Sequence, residues 1–325
     1  MLEGVKKFLK AHLFTDAHPF FMGLWLDRME RKFRREERHS HMTYAEIEAE
    51  ISQQYEAMFG RKLNWDNPQT YNEKIHVSKL YMPSPLKARL ADKVAVREWI
   101  AEKIGGEYLV PLIGVYDSFD DIDFDALPQQ FVIKCSHDSG SVILVKDKRK
   151  LNMRLLKRKY DLHMGRNFAW MGFELHYRDI PHKIIIERYL GDAINDYKFL
   201  CPGGKPFVCQ VDFNRFTNHT RDFYSPEWKL QPFTCGPIPR SGKEHPMPPE
   251  YPKMAGIASR LSEGFDQVRV DLYLVSGRIY FGEMTFADGN GLEPYMPDEW
   301  EYKLGELWPF DNTARTRVLA EHSRP

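Results

Sequence analysis

The hydrophobic period of the chain changes at Pro128, and that change restricts the fold more than any other feature. Before it, Ala45 to Phe59 and Lys87 to Ile104 carry apolar residues at helical spacing. So does the stretch that follows the turn-and-cap signal Asn67-Pro68-Gln69-Thr70 and runs to Leu80. Met82-Pro83-Ser84-Pro85 separates two of these helices, and Gly105-Gly106 ends the last. Beyond Pro128 the segments are short and strand-like: Phe131 to Cys135, Val142 to Val145, Lys183 to Leu190, Asp196 to Leu200, Phe207 to Phe213, Val268 to Val275 and Arg278 to Phe286. Helical stretches at 151–164 and 250–264 interrupt them. Helices first and hairpin-linked strands after them predict an α+β fold with mixed antiparallel sheets.

At 325 residues the chain has room for about two domains. Its 46 Lys and Arg balance 46 Asp and Glu, which excludes the overall basic footprint of a dedicated nucleic-acid binder. The four cysteines, Cys135, Cys201, Cys209 and Cys235, form no C-x-x-C pair and read as reduced thiols of a cytoplasmic protein. Phe20 to Leu26 is far shorter than the roughly 20 apolar residues that span a bilayer. It runs into Arg28–Arg38, where six basic residues outnumber three acidic ones. Residues 20–38 therefore read either as a helix packed on the main domain with a solvated charged face, or as a peripheral contact with an anionic membrane.

Four local patterns can carry chemistry. Lys134 ends an apolar strand ahead of the small polar tract Ser136–Ser141, whose backbone amides can cradle phosphate beside a lysine, although no Walker A sequence is present. Ile184-Ile185-Ile186-Glu187 closes a buried strand on a carboxylate. Asp196 and Lys198 alternate on one face of a strand. Arg269-Val270-Asp271, a short hairpin and then Glu283-Met284-Thr285 set ionic groups into an otherwise apolar pair of strands, an arrangement suited to a hard divalent cation between phosphate oxygens. A surface ion pair of Arg269 with one carboxylate explains the same pattern equally well. A separate D-x-D, Asp121-Ile122-Asp123, is the one feature that suits a metal-dependent glycosyltransferase, and a non-catalytic nucleotide-binding assembly factor is a third reading.

The order of these segments resembles the ATP-grasp superfamily, and more closely its TupA-like branch of teichuronopeptide and surface-polysaccharide biosynthesis. The residues that carry the resemblance are Asn67–Ile75, Ala91–Arg97, Phe131–Gly140, Asp196–Phe199, Arg215–His219 and Val268–Phe286. It covers about residues 61–305 and implies a helical region over 61–130 and two ATP-grasp subdomains over 131–190 and 191–310; a helical N-terminal extension over 1–60 and a tail over 311–325 lie outside it. It also implies ATP and Mg²⁺ as cofactors. Lys134, Ser139, Gly140 and Ser141 would meet phosphates. Glu187, Tyr189 and Asp196 would complete the nucleotide site, with adenine held by Glu187 and the backbone after it. Lys198 and Arg269 would act on the transferring phosphoryl group, and Asp271 and Glu283 would hold the metal. The implied activity is amide formation between a small-molecule or polysaccharide carboxylate, a uronic acid, and an amine. Two positions depart from the pattern: Asp138 stands where glycine is expected, and Thr285 where the superfamily's ligases carry asparagine.

The metal assignment depends on the hairpin. A two-residue loop of Ser276-Gly277 pairs Val275 with Arg278, sets Asp271 opposite Gly282 and sends Glu283 to the other face of the sheet. A three-residue loop closed by Gly277 in the left-handed region pairs Leu274 with Arg278 and puts Arg269, Asp271 and Glu283 together. The expectation is the three-residue loop.

Overall fold

The computed structural model describes residues 19–192, 194–214 and 218–322. Its first helices are α1 (Pro19–Glu37), α2 (Tyr44–Phe59), α3 (Tyr71–Tyr81), α4 (Pro85–Ala91) and α5 (Val96–Lys103). Local chemistry sets their limits. Thr43 with Glu46, and Thr70 with Glu73, form reciprocal capping boxes, while Gly60 ends α2 in the left-handed conformation. The helix expected over 87–104 is broken: α4 stops at Ala91, and Asp92 accepts the Val94 N–H at 2.8 Å. That turn aims Lys93 at the polar tract after Lys134.

Strands β1 (Leu112–Tyr116), β2 (Phe131–Cys135) and β3 (Ile143–Val145) follow, then α6 (Met153–Met164), the single turn α7 (Ala169–Gly172) and β4 (Ile184–Arg188). They make a four-stranded antiparallel sheet in the order β1-β4-β2-β3. Its inner face, Phe131, Ile133, Cys135, Ile184 and Ile186, is sealed by α6 and by Met22, Leu26 and Met29 of α1. The aromatic, apolar side of the N-terminal helix is thus spent on packing.

The second half holds β5 (Asn195–Pro202), β6 (Val208–Phe213), β7 (Thr220–Tyr224), β8 (Thr234–Cys235), α8 (Tyr251–Ser262), β9 (Gln267–Val275), β10 (Arg278–Thr285), β11 (Tyr295–Met296), α9 (Glu299–Glu306) and α10 (Thr313–His322). Five strands form an antiparallel sheet ordered β10-β9-β5-β6-β7, and β8 pairs with β11. One face of the large sheet packs Phe199, Val211, Val268, Val270 and Leu272 against α8 residues Met254 and Leu261. The segment expected as a tail contributes α10, whose Arg315 bonds Glu48 and, at 2.6 Å, Asp66. Among the described residues no helix is long and apolar enough to cross a membrane.

The β9–β10 hairpin corrects the expected loop. Val275 pairs with Arg278, so the loop has two residues, Ser276 and Gly277, both at positive φ (50° and 75°) as in a type I′ turn. The extra residue lies further on. Phe281 opposes Leu272 and Glu283 opposes Asp271, leaving Gly282 as a bulge. A Cβ there would lie 3.0 Å from the Asp271 carbonyl oxygen and 3.1 Å from the Tyr273 ring, so glycine suits the position. The resulting register differs from the expected one, pairing Asp271 with Glu283 and Arg269 with Thr285, but the bulge still returns Arg269, Asp271 and Glu283 to one face.

Candidate active site

Residues directly opposite in an antiparallel pair share a face. Asp271 lies opposite Glu283 on one side and Lys198 on the other, and Lys198 in turn lies opposite Gln210. Arg269, two residues from Asp271, and Asp196, two from Lys198, join that face. The four expected residues Lys198, Arg269, Asp271 and Glu283 are therefore brought together across β5, β9 and β10.

Arg269 organises the group. It gives two bonds to Asp271, both 2.7 Å, one to Glu283 at 3.3 Å, one to Thr285 Oγ1 at 3.1 Å, and one to Asp288. Burial lifts the Asp271 carboxyl to about 6 against the pull of Arg269 and Lys198. The carboxylates around it hold the Arg269 guanidinium well above its usual range, despite burial. Thr285 links Arg269 to Glu283 through its hydroxyl, so at this departure position it orients its neighbours. Lys198 pairs with Asp212 at 3.1 Å and stands 3.9 Å from Asp196.

The small sheet supplies the facing wall. Lys134 and Glu187 project from the face opposite its core and meet at 2.7 Å, and Arg97 reaches Glu187 at 3.3 Å. The two residues expected at opposite ends of the nucleotide are thus an ion pair here. A narrow cavity of about 20 Å³ lies between the sheets, lined by Lys93, Arg97, Lys134 and Glu187 from one side and by Tyr273, Phe281 and Gly282 from the other. Tyr189 lies off this convergence. Its hydroxyl donates to Asp192 at 2.5 Å, and the ring lines an open depression of about 920 Å³ with Arg188, Lys146 and Arg149.

The polar tract after β2 divides its residues between two tasks. Ser139 and Gly140 are exposed at its tip, Gly140 with φ 94°. Ser141 is buried, and its hydroxyl is committed inward, which corrects its expected place on the phosphate side: it accepts the Cys135 N–H at 2.8 Å and donates to Asp138 at 2.5 Å. Asp138, the first departure, also points inward and accepts from His163 Nδ1 on α6. The buried His163 Nε2 has no partner, which fits a neutral ring protonated at Nδ1. Burial alone would raise the Asp138 carboxyl, yet bonds from His163 and Ser141 and the nearby Lys93 bring it down to about 2. Lys93 Nζ donates to the Asp138 carbonyl at 2.5 Å. The carboxylate that stands where glycine is expected is the loop's anchor.

Asp121 and Asp123 serve as turn caps. Asp121 accepts from the Ser118 N–H and hydroxyl, and Asp123 from the Asp125 and Ala126 N–H groups. The feature that suited a glycosyltransferase is occupied with local structure.

The profile of the family TupA-like ATPgrasp matches residues 73–308, well over half of the chain. The chain belongs to the TupA-like ATP-grasp family. A comparison with curated proteins returns no match. Among solved structures the chain is similar to N5-carboxyaminoimidazole synthetase from Staphylococcus aureus complexed with ADP, at 15 % identity and TM-score 0.37, over 61 % of this chain and 44 % of that one. It is similar to D-alanine-D-alanine ligase from Helicobacter pylori at 12 % identity and TM-score 0.40, over 68 % and 61 %. It is also similar to L-amino acid ligase from Bacillus licheniformis at 14 % identity and TM-score 0.41, over 76 % and 56 %. The chain spans about half the length of these structures.

This TupA-like site contains residues that sequence reasoning gave no role. Asp212 joins Lys198, His219 (3.1 Å) and Arg221 (2.8 Å), and the charges of Lys198 and Arg221 with the hydrogen bonds from Arg221 and His219 hold its carboxyl far below the usual range in spite of burial. The signal was present in Val208-Cys209-Gln210-Val211-Asp212-Phe213, where polar residues alternate within an apolar strand. Lys93 and Arg97 lie in a segment that carried the family resemblance. Arg215 to Thr217, part of another such segment, fall outside the described residues. Buried Glu174 and Lys79 flank the Arg269 cluster, and burial pushes the first up and the second down, each to about 7.

Proposed function

We propose that this protein is an ATP-dependent carboxylate–amine ligase that uses Mg²⁺. The observation that carries the reading is the shared face of Lys198, Arg269, Asp271 and Glu283 in a chain of the TupA-like ATP-grasp family, with Lys134 lining a narrow cleft against Tyr273, two residues along β9 from Asp271. A hard cation takes one or two carboxylates and completes its shell with phosphate oxygens and water. Two carboxylates on one face suit that demand, and among the described residues no three-ligand cluster forms a closed cage.

In this reading Asp271 and Glu283 would hold Mg²⁺, which would supply charge neutralisation for the phosphates. Lys134 exchanges its partner Glu187 for the nucleotide's phosphates, and the amides at Ser139 and Gly140 cover them. Glu187 and the backbone after it meet adenine. Lys198 faces the γ-phosphate. Arg269, its fork fixed by Asp271 and Asp288, orients the transferring group. An oxygen of the acid attacks the γ-phosphorus, and ADP leaves with the bridging oxygen. The amine nitrogen then attacks the acyl carbon of the resulting acyl phosphate, phosphate leaves, and the amine proton passes to solvent. The family resemblance favours a uronic acid of a surface polysaccharide or its precursor as the acid, and an amino acid or small amine as its partner.

A screen of uronic acids against amines tests this. ADP release that requires both members of a pair, and is lost in Lys134→Ala, supports the reading. UDP release from a nucleotide sugar would assign a glycosyltransferase, and ATP binding without turnover a non-catalytic role.

A further inference from the structure

The inner side of α1 is spent on the core, and its outer side has a composition of its own. With about 100° between successive helix residues, Leu24, Arg28, Arg31 and Arg35 fall within an arc of about 60°. Arg38 continues the line just beyond the helix. Met22, Leu26 and Met29 lie on the opposite side, buried against the small sheet. Three of its four acids are engaged by the protein: Asp27 and Glu30 meet Arg158 at 2.5 and 3.1 Å, and Glu36 meets Arg166 at 2.7 Å, while Glu37 at the helix end is exposed about 180° round the helix from Arg28. Lys32 and Arg34, at the flanks, pair with Glu36 and Glu30. Arg28, Arg31, Arg35 and Arg38 are exposed and form no ion pair among the described residues.

We propose that this arginine line is a docking surface for the anionic headgroups of a phospholipid bilayer. A solvated helix face ordinarily mixes signs, whereas a line of one sign on a protein whose charges otherwise balance has an anionic complement. Arg28, Arg31 and Arg35 share one arc of the exposed helix face, and each presents a fork that matches phosphate. Leu24, 51 % exposed at the head of the line, selects the bilayer over other polyanions, because an interfacial acyl boundary takes an apolar side chain. The surface is independent of the proposed ligase activity.

Co-sedimentation of the full chain with vesicles tests the proposal. Partition onto phosphatidylcholine–phosphatidylglycerol vesicles is expected, weakening as salt rises and absent on phosphatidylcholine alone. Each arginine contributes about fivefold to partition. The variant Arg28→Gln/Arg31→Gln/Arg35→Gln/Arg38→Gln loses binding while its melting temperature stays at the wild-type value. If that variant folds poorly, the pairs Arg28→Gln/Arg31→Gln and Arg35→Gln/Arg38→Gln each show about 25-fold weaker partition, two such factors multiplied. Unchanged partition in these variants overturns the proposal. So does arginine-dependent retention of duplex DNA without vesicle binding, which would assign the line to nucleic acid.

Discussion

Replacing Asp138 by asparagine tests whether the loop that covers the nucleotide is held from beneath. The side chain is buried and bridges Ser141 and His163, so the substitution keeps its volume and removes its charge. Its carboxyl falls from an ordinary 3.8 to about 2 in the folded chain. At about 1.4 kcal/mol per unit, that difference corresponds to about 2 kcal/mol of stability. Stranding a buried donor at His163 costs a similar amount, about 1–3 kcal/mol. The sign follows from the depressed pKa. The contribution is complete above about pH 4, where the unfolded carboxyl is also ionised, and is lost as pH falls toward about 2. Urea unfolding at pH 7 should therefore place Asp138→Asn about 2 kcal/mol below wild type with an unchanged slope, and the gap should close on acidification. Calorimetric titration with ATP should show weaker binding as well, because Cys135, Ser141 and the tip at Ser139 and Gly140 share the anchor. A variant with wild-type stability and ATP affinity at pH 7 would refute the anchoring argument.

Three further substitutions address other parts of the account. Lys134→Ala should weaken ATP binding by calorimetry while the fold persists, since Glu187 keeps Arg97 as a partner. Leu26→Ala should cost about 2–5 kcal/mol in urea unfolding, because Leu26 is fully buried in the core of the small sheet; a loss under 1 kcal/mol would detach α1 from that core. Ser276→Asn should raise stability by a few tenths to about 1 kcal/mol, since Ser276 sits at φ 50° in a turn that favours asparagine there; destabilisation would contradict the two-residue loop.

Segments with a strong period were legible in the sequence: β2, β4, the β9–β10 hairpin and α2 all stand within a residue or two of their expected limits. Elements fixed by tertiary contact were not. β1 is an edge strand whose Leu112, Ile113 and Val115 are exposed, so it lacks clean alternation, and it exists through pairing with β4. The break at Asp92 depends on a side-chain bond and on the distant carbonyls that take Lys93, neither of which periodicity reports. In the candidate site, alternation within each strand placed the ionic groups correctly. The register between strands turned on one extra residue, and glycine occurs both at the turn and at the bulge, so Gly277 and Gly282 were equally able to supply it. The role of Asp138 was not legible for a related reason: its partner His163 comes from a helix 25 residues away.

The central claim is that the acid is activated by phosphorylation on the face built by Arg269, Asp271 and Glu283. Its most direct measurement uses a substrate acid labelled with heavy oxygen in its carboxylate, incubated with enzyme, ATP, Mg²⁺ and amine, followed by mass analysis of the phosphate released. One labelled oxygen in each phosphate formed together with amide is the predicted result, and Glu283→Gln should abolish both products. Amide formation with unlabelled phosphate, or undiminished label transfer in Glu283→Gln, would contradict the account.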